Sequence, residues 1–231
     1  MTILENVLLW ERDLFLKLNG SSSSLLDAMM WLFSGSIMWI PIAVFFIFTI
    51  AYKKKWTEWL PILLAISLVV LFCDTFSSGI CKPFFMRLRP THHPLFMDEV
   101  QTLFGYRGAK YGFISGHATN FFGFAMLTAH IFKNRIYTII IFIWAFFVAY
   151  SRVYLGVHFI SDVLAGALAG MAIGYATYRL YKTFLVHCPR QLAQPVSDSR
   201  LAGRNIAFVL LLNTLLFSIF SQDIVGALEH N

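Results

Sequence analysis

The sequence predicts an all-α, polytopic membrane helix bundle: six transmembrane helices plus an N-terminal amphipathic helix at the interface, in a single domain over residues 1–231. Three observations predict it. The chain is 58% hydrophobic and only 13% charged, where a soluble domain carries about 25% charged residues. Its apolar residues gather into six runs, near the roughly 20 residues that a helix needs to cross a bilayer. The loops between these runs carry their charges asymmetrically.

In chain order, residues 3–18 come first. Leu4, Val7, Leu8, Leu14, Phe15 and Leu18 fall near one helical face, with Glu5, Arg12, Asp13 and Lys17 away from it. That pattern predicts a helix lying on the membrane surface. Glu5, Glu11 and Asp13 among the apolar positions are unlike a cleaved signal peptide. The predicted spans are 28–52, 58–80, 116–132, 136–151, 159–181 and 205–221. In hydrocarbon the backbone must satisfy its own hydrogen bonds, so each span is read as a helix. The segment 187–204, with two Pro and several polar residues, reads as a loop. Three cysteines, Cys73, Cys81 and Cys188, suggest free thiols.

One set of loops holds Lys53, Lys54, Lys55, Lys133, Arg135, Arg179, Lys182, Arg190, Arg200 and Arg204 against Glu58 and Asp198. The preference of basic residues for the cytoplasmic side places these loops inside and both termini outside. The overall charge of +6 then follows from topology, and nucleic-acid binding is not needed to account for it.

The outer side carries three polar stretches at helix ends: KPFFMRLRP at 82–90, ISGH at 114–117 and SRVYLGVHFISD at 151–162. Polar and charged groups gathered at one membrane level point to function, because each is costly there. Lys82, Arg89 and Arg152 suit the oxygens of a phosphate. Ser115 and Gly116 precede a helix start, where amide N–H groups and the dipole attract anions. His158 and Asp162 are i and i+4, so they share a helical face. The carboxylate can hold one imidazole nitrogen protonated and leave the other as a nucleophile. His117 is then the acid that protonates the leaving oxygen.

These stretches resemble the three signature motifs of the type 2 phosphatidic acid phosphatase (PAP2) superfamily. The first is Lys, six residues, Arg-Pro, matched by Lys82 to Arg89-Pro90. The second is Pro-Ser-Gly-His, which reads Ile114-Ser115-Gly116-His117 here. The third is Ser-Arg, five residues, His, three residues, Asp, matched by Ser151-Arg152, His158 and Asp162. Ile114 is the departure: it keeps a backbone N–H and frees the φ that Pro would fix. The resemblance implies a metal-independent lipid phosphate phosphatase without cofactors. It also implies a phosphohistidine on His158, oriented by Asp162, with His117 as general acid and then base. The candidate site is thus His158, His117 and Asp162 as catalytic residues, with Lys82, Arg89, Ser115, Gly116 and Arg152 binding phosphate.

Other features are secondary. Residues 91–113 lie between two motifs and are expected to line the entrance for the headgroup. Asp74, two turns before Lys82, either orients Lys82 or makes polar contacts between helices. Gly166, Gly170 and Gly174 form a small-residue stripe for close helix packing. His92-His93 is an adjacent pair in a loop and a weak candidate for metal. The expected partner is a membrane lipid phosphate. Lipid A phosphate and undecaprenyl diphosphate are favoured over phosphatidylglycerol phosphate and phosphatidic acid. The expected location is a bacterial inner membrane, with the site on the outer face. The rival reading is a lipid-phosphate binding or transport protein. The pair His117 and His158 argues against it, because binding alone needs cations and no nucleophile.

Overall fold

The structure, a computed structural model, describes residues 3–21 and 23–229, with side chains described for 11–21 and 23–227. Among the described residues the regular structure is helical, apart from an isolated antiparallel bridge between Leu88 and Tyr111. Helix α1 (Ile3–Leu18) matches the amphipathic segment. Phe15 is fully buried, with its ring 5.4 Å from that of Phe159, so this face of α1 packs on the protein. Leu14, expected beside it, is 49% exposed. Glu5, Leu4, Val7 and Leu8 lie outside the described side chains. Asn19 anchors the end of α1 by donating from Nδ2 to the carbonyls of Tyr154 at 2.8 Å and Gln101 at 2.9 Å.

The first predicted span, 28–52, is broken. It forms α2 (Ser24–Ser34) and α3 (Trp39–Ala51), bent by 48°. The small residues Ser34, Gly35 and Ser36 interrupt the apolar run at the bend, and their weak helix propensity lets the chain turn there. The second span runs further than expected. Helix α4 (Trp56–Asp74) continues through a π-helical stretch, Thr75–Cys81, into the short α5 (Lys82–Phe85). Helix α6 (Gly116–Phe132) has the predicted bounds. Helices α7 (Arg135–Tyr154), α8 (Ile160–His187) and α9 (Ser199–Ile219) extend the remaining spans by a few residues at one or both ends. A further helix, α10 (Ser221–Glu229), was not expected; its Val225 packs against Ala28 and Leu32 of α2.

Among the described residues, four helical segments are long and apolar enough to cross a membrane, and the bent α2–α3 pair makes five if counted as one span. Helix α6 has 17 residues, about 25 Å, against a hydrocarbon core of about 30 Å. It lies inside the bundle, against α4, α7 and α8.

The small-residue stripe explains the close approach of α6 and α8. A Cβ placed on Gly166 would lie 2.7 Å from the Ser115 carbonyl oxygen, on Gly170 2.2 Å from that of Thr119, and on Gly174 2.3 Å from that of Gly123. The obstacle is backbone each time, so no side-chain rotation relieves it. Gly170→Ala and Gly174→Ala should each destabilise the bundle by about 1–3 kcal/mol. Gly226→Ala, on α10 with nothing within 4 Å of the added atom, should be neutral. Thermal unfolding in detergent checks this: equal melting temperatures for all three variants would refute close α6–α8 packing.

Candidate active site

Each polar stretch has a local structural reason for its position. The π-helical turn after α4 widens the helix and carries a relay from Asp74 to Lys82. Ser78 donates to Asp74 Oδ1 at 3.2 Å and accepts from Lys82 Nζ at 2.9 Å. Asp74 therefore orients Lys82 through Ser78, which settles the two readings of Asp74 in favour of the first. π-Helical turns often mark functional sites, and this one brings Lys82 Nζ to 3.6 Å from where a Cβ on Gly116 would stand.

After α5 the chain is extended, and Leu88 bridges Tyr111. Arg87 and Arg89, two residues apart, find different partners, and Arg87 goes to the carboxylates of Glu11 and Asp162. Arg89, only 6% exposed, donates to the carbonyls of Tyr111 and Val157, both at 3.2 Å. Gly108 and Gly112 lie directly against its side chain. A Cβ on Gly108, where φ is +68°, would stand 2.8 Å from Arg89 Nη1. The 91–113 loop thus forms a wall of the site. Its Tyr106 hydroxyl accepts from Arg152 Nη2 at 3.2 Å, and Arg152 Nη1 donates to Ser34 Oγ at the α2–α3 bend. Phe104 and Tyr106 also meet Trp31 of α2 edge-on, with ring centroids at 5.0 and 5.7 Å.

At the start of α6, Ser115 is fully buried and acts as the N-cap. Its Oγ accepts from the Ala118 amide at 3.4 Å, and its own N–H donates to the Asp162 carbonyl at 3.0 Å. Ser115 was expected among the phosphate-binding groups; its backbone N–H holds α6 to α8, and its hydroxyl, which caps α6 by accepting, keeps its own proton to donate. The amides of Gly116 and His117 remain at the helix start, where no intrahelical acceptor exists. Ile114 is buried, 3% exposed. The loop before it is fixed by the Gly112 N–H donating to the Arg87 carbonyl at 2.9 Å. The Ser34 carbonyl faces the His117 ring.

His158 sits in the turn between α7 and α8. Its Nδ1 lies 3.4 Å from Asp162 Oδ2, which also accepts from the Phe159 amide at 3.0 Å. Burial, then the cations Arg89, Arg152 and Lys82, push the His158 imidazole well below the usual histidine range. It is therefore neutral near pH 7, as a nitrogen nucleophile must be. Asp162 Oδ1 accepts from Arg87 Nη1 at 2.6 Å, and Arg87 Nη2 donates to Glu11 Oε1 at 2.5 Å.

Lys82, Arg89, Arg152, His117, His158 and Asp162 converge. Lys82, Arg89 and Arg152 all bear electrostatically on His158, as do Arg152, His158 and Arg89 on His117. Among the described residues, none of Lys82, Arg89 and Arg152 has a carboxylate within ion-pair distance. Such a cluster of positive charge is balanced by an anion such as a phosphoryl group. Sequence reasoning missed the roles of Arg87, Glu11 and Ser34, while Tyr106 lies in the 91–113 loop expected at the entrance. The first two carried a readable signal. Arg87 is two residues from Arg89, and Glu11 falls on the 4, 8, 11, 15, 18 stripe that is otherwise apolar. Among the described residues no group of three or more His, Cys, Asp or Glu side chains is placed to hold a metal. The His93 ring stacks on Phe96 with centroids 4.4 Å apart.

Comparison with known proteins agrees with this geometry. The chain is 47% identical to a lipid A 4'-phosphatase of Porphyromonas gingivalis over 178 residues, covering 77% of this chain and 75% of that protein. It is 33% identical to a lipid A 4'-phosphatase of Bacteroides thetaiotaomicron, covering 84% of each. The crystal structure of Aquifex aeolicus LpxE superposes with a TM-score of 0.53 at 29% identity, over 74% of this chain and 95% of that one. The family model of the PAP2 superfamily matches residues 58–185. That match takes in all three motifs and more than half of the chain, and the chain belongs to the PAP2 superfamily.

Proposed function

We propose that this protein is an integral membrane phosphatase that removes a phosphate monoester from lipid A at the outer face of the inner membrane. The observation that carries the reading is the meeting of a neutral, buried His158 with three cations, Lys82, Arg89 and Arg152, that lack carboxylate partners among the described residues. A binding protein needs only the cations. The 47% identity to a protein named lipid A 4'-phosphatase favours that substrate over undecaprenyl diphosphate. A cavity of about 400 Å³, lined by apolar side chains including Trp39, Phe46 and Phe124, begins one helical turn along α6 from His117. It is suited to an acyl chain of the substrate.

The chemistry runs in two steps. His158 Nε2 attacks phosphorus while its Nδ1–H points at Asp162. The bond to the lipid oxygen breaks, and His117 gives that oxygen its proton. The arriving phosphate brings the negative charge that keeps a proton on His117 among the surrounding cations. In the second step His117 takes a proton from water, whose oxygen attacks the phosphohistidine, and inorganic phosphate leaves. Lys82, Arg89 and Arg152 stabilise the phosphoryl oxygens in both transition states, the role a metal ion plays in other phosphatases.

Four measurements test this. Phosphate release from a panel of lipid phosphates in detergent should be fastest with lipid A, and a clear preference for undecaprenyl diphosphate would overturn the substrate assignment. EDTA should leave the rate within about twofold, because the oxygens are held by side-chain cations; loss on chelation with recovery on adding Mg²⁺ would overturn the metal-independent mechanism. A Cys in the loop at 53–55 should react with impermeant reagents only after membrane disruption, while one at Asp98 should react in intact cells, and the reverse labelling would move the site to the cytoplasm. His158→Ala should abolish turnover of every substrate. His117→Ala should slow lipid phosphate hydrolysis by about 10²–10⁴-fold but slow p-nitrophenyl phosphate far less, because an aryl oxygen leaves without a proton. Equal losses on both substrates would remove His117 from its role as the acid.

A further inference from the structure

We infer that Glu11, on the N-terminal helix α1, is a positioning residue that acts through Arg87 to keep negative charge behind the His158 nucleophile. The inference rests on the proposed role of His158 and goes beyond it.

The geometry is a buried chain of alternating charge. Glu11, Arg87 and Asp162 are 4%, 5% and 0% exposed. Arg87 uses one nitrogen for each carboxylate, Nη2 to Glu11 Oε1 at 2.5 Å and Nη1 to Asp162 Oδ1 at 2.6 Å. Ser161 ties the same groups together. Its N–H donates to Glu11 Oε2 at 3.1 Å, its hydroxyl donates to Glu11 Oε1 at 2.9 Å and accepts from Arg87 Nη1 at 2.6 Å. The Arg87 guanidinium lies 4.4 Å over the ring of Phe159, the residue between His158 and Ile160. The network therefore reaches from α1 to the first turn of α8 and ends at the carboxylate that faces His158.

Charge balance gives each member its task. A fully buried carboxylate without a cation takes up a proton. A protonated Asp162 would donate to His158 Nδ1, move the ring proton to Nε2 and leave no lone pair to attack phosphorus. Arg87, donating to Asp162 Oδ1 at 2.6 Å, opposes this by favouring the ionised carboxylate. Arg87 and Asp162 alone, however, sum to zero, and a neutral pair does little for the positive charge that His158 acquires as it attacks. Glu11 restores a net charge of −1 to the group that meets His158 at Nδ1. Only the guanidinium fork can do this, since a Lys ammonium is a single point charge and cannot span both carboxylates in the same geometry.

A merely structural Glu11 would anchor α1 by accepting hydrogen bonds. Glu11→Gln keeps the shape and one acceptor oxygen but removes the charge, so it separates the two roles. Steady-state hydrolysis of purified lipid A by the full-length protein in detergent is the assay. Glu11→Gln should lower kcat about tenfold, the scale of outer partners in other enzyme sites, with KM within about twofold. In an Asp162→Asn background, where the carboxylate is already gone, adding Glu11→Gln should cost nothing more, because the two act as one unit. Unchanged kcat in Glu11→Gln, or a loss that multiplies with that of Asp162→Asn, would overturn the inference. If Glu11→Gln does not insert, Arg87→Lys replaces it: kcat should fall with KM held, and wild-type kcat would overturn the inference equally. His158→Ala is the control that keeps the two levels apart. Activity in His158→Ala overturns the phosphatase mechanism itself, whereas an inactive His158→Ala beside a fully active Glu11→Gln overturns only the role of Glu11.

Discussion

The carboxylate and carbonyl of Asp162 hold the site together. One oxygen accepts from Arg87 in the first motif and the other faces His158 in the third, while the backbone carbonyl accepts from the Ser115 amide in the second. Three stretches spread over residues 82–162 thus meet at one buried residue. Removing the side chain would release more than the nucleophile. Arg87 would lose one of its two carboxylates in a place with almost no access to water, and a broken buried ion pair is strongly destabilising. The pairing of Asp162 with Arg87 is therefore also a contribution to the fold.

The register that brings Asp162 to Ser115 is set further down α8. Gly166, Gly170 and Gly174 follow Asp162 at four-residue steps, and they meet the carbonyls of Ser115, Thr119 and Gly123, which follow one another at the same step on α6. A slip of α8 by one turn would set Asp162 or a glycine against the wrong partner. Small residues in a membrane bundle permit close backbone approach, and here that approach also fixes the distance between the second and third motifs. The irregular backbone at the site fits the same logic. Non-helical segments at membrane depth are tolerated where protein or a polar cavity covers them. The bend at Ser34 and Gly35 is covered by Arg152 and Tyr106, and the π-helical turn after α4 by its own Asp74, Ser78 and Lys82 relay.

Much of this was legible in the sequence. The all-helical membrane architecture follows from composition and run length, and α6 begins and ends where its apolar run does. The motif residues Lys82, Arg89, His117, Arg152, His158 and Asp162 are readable because phosphate chemistry demands their types on one membrane face. The break between α2 and α3 was harder to read, since Ser34-Gly35-Ser36 is three residues inside an otherwise continuous apolar run, and hydropathy averages over them. The roles of Ser115 and Arg87 depend on tertiary contacts. Whether the Ser115 amide meets phosphate or the Asp162 carbonyl is decided by how closely α8 approaches, which no local pattern reports. Arg87 is a neighbour of Arg89 in sequence but takes different partners, and its two carboxylates are 76 and 75 residues away.

The resulting charge arrangement has two sides. Lys82, Arg89 and Arg152 gather positive charge around His158, and Glu11, Arg87 and Asp162 form a linked group of net charge −1 that meets its Nδ1. Both sets would be costly alone, since burying charge at this level is unfavourable unless it is paired. The His158 imidazole meets Asp162 and feels all three cations. Before reaction the cations and burial disfavour its protonation, so it retains a lone pair. On the proposed mechanism it would become positive as it attacks, with the phosphoryl charge held by the three cations and Asp162 at its Nδ1. The helix α1, read from the sequence only as a surface element, supplies the outer carboxylate of that arrangement, so the amino-terminal segment belongs to the site as well as to the membrane boundary.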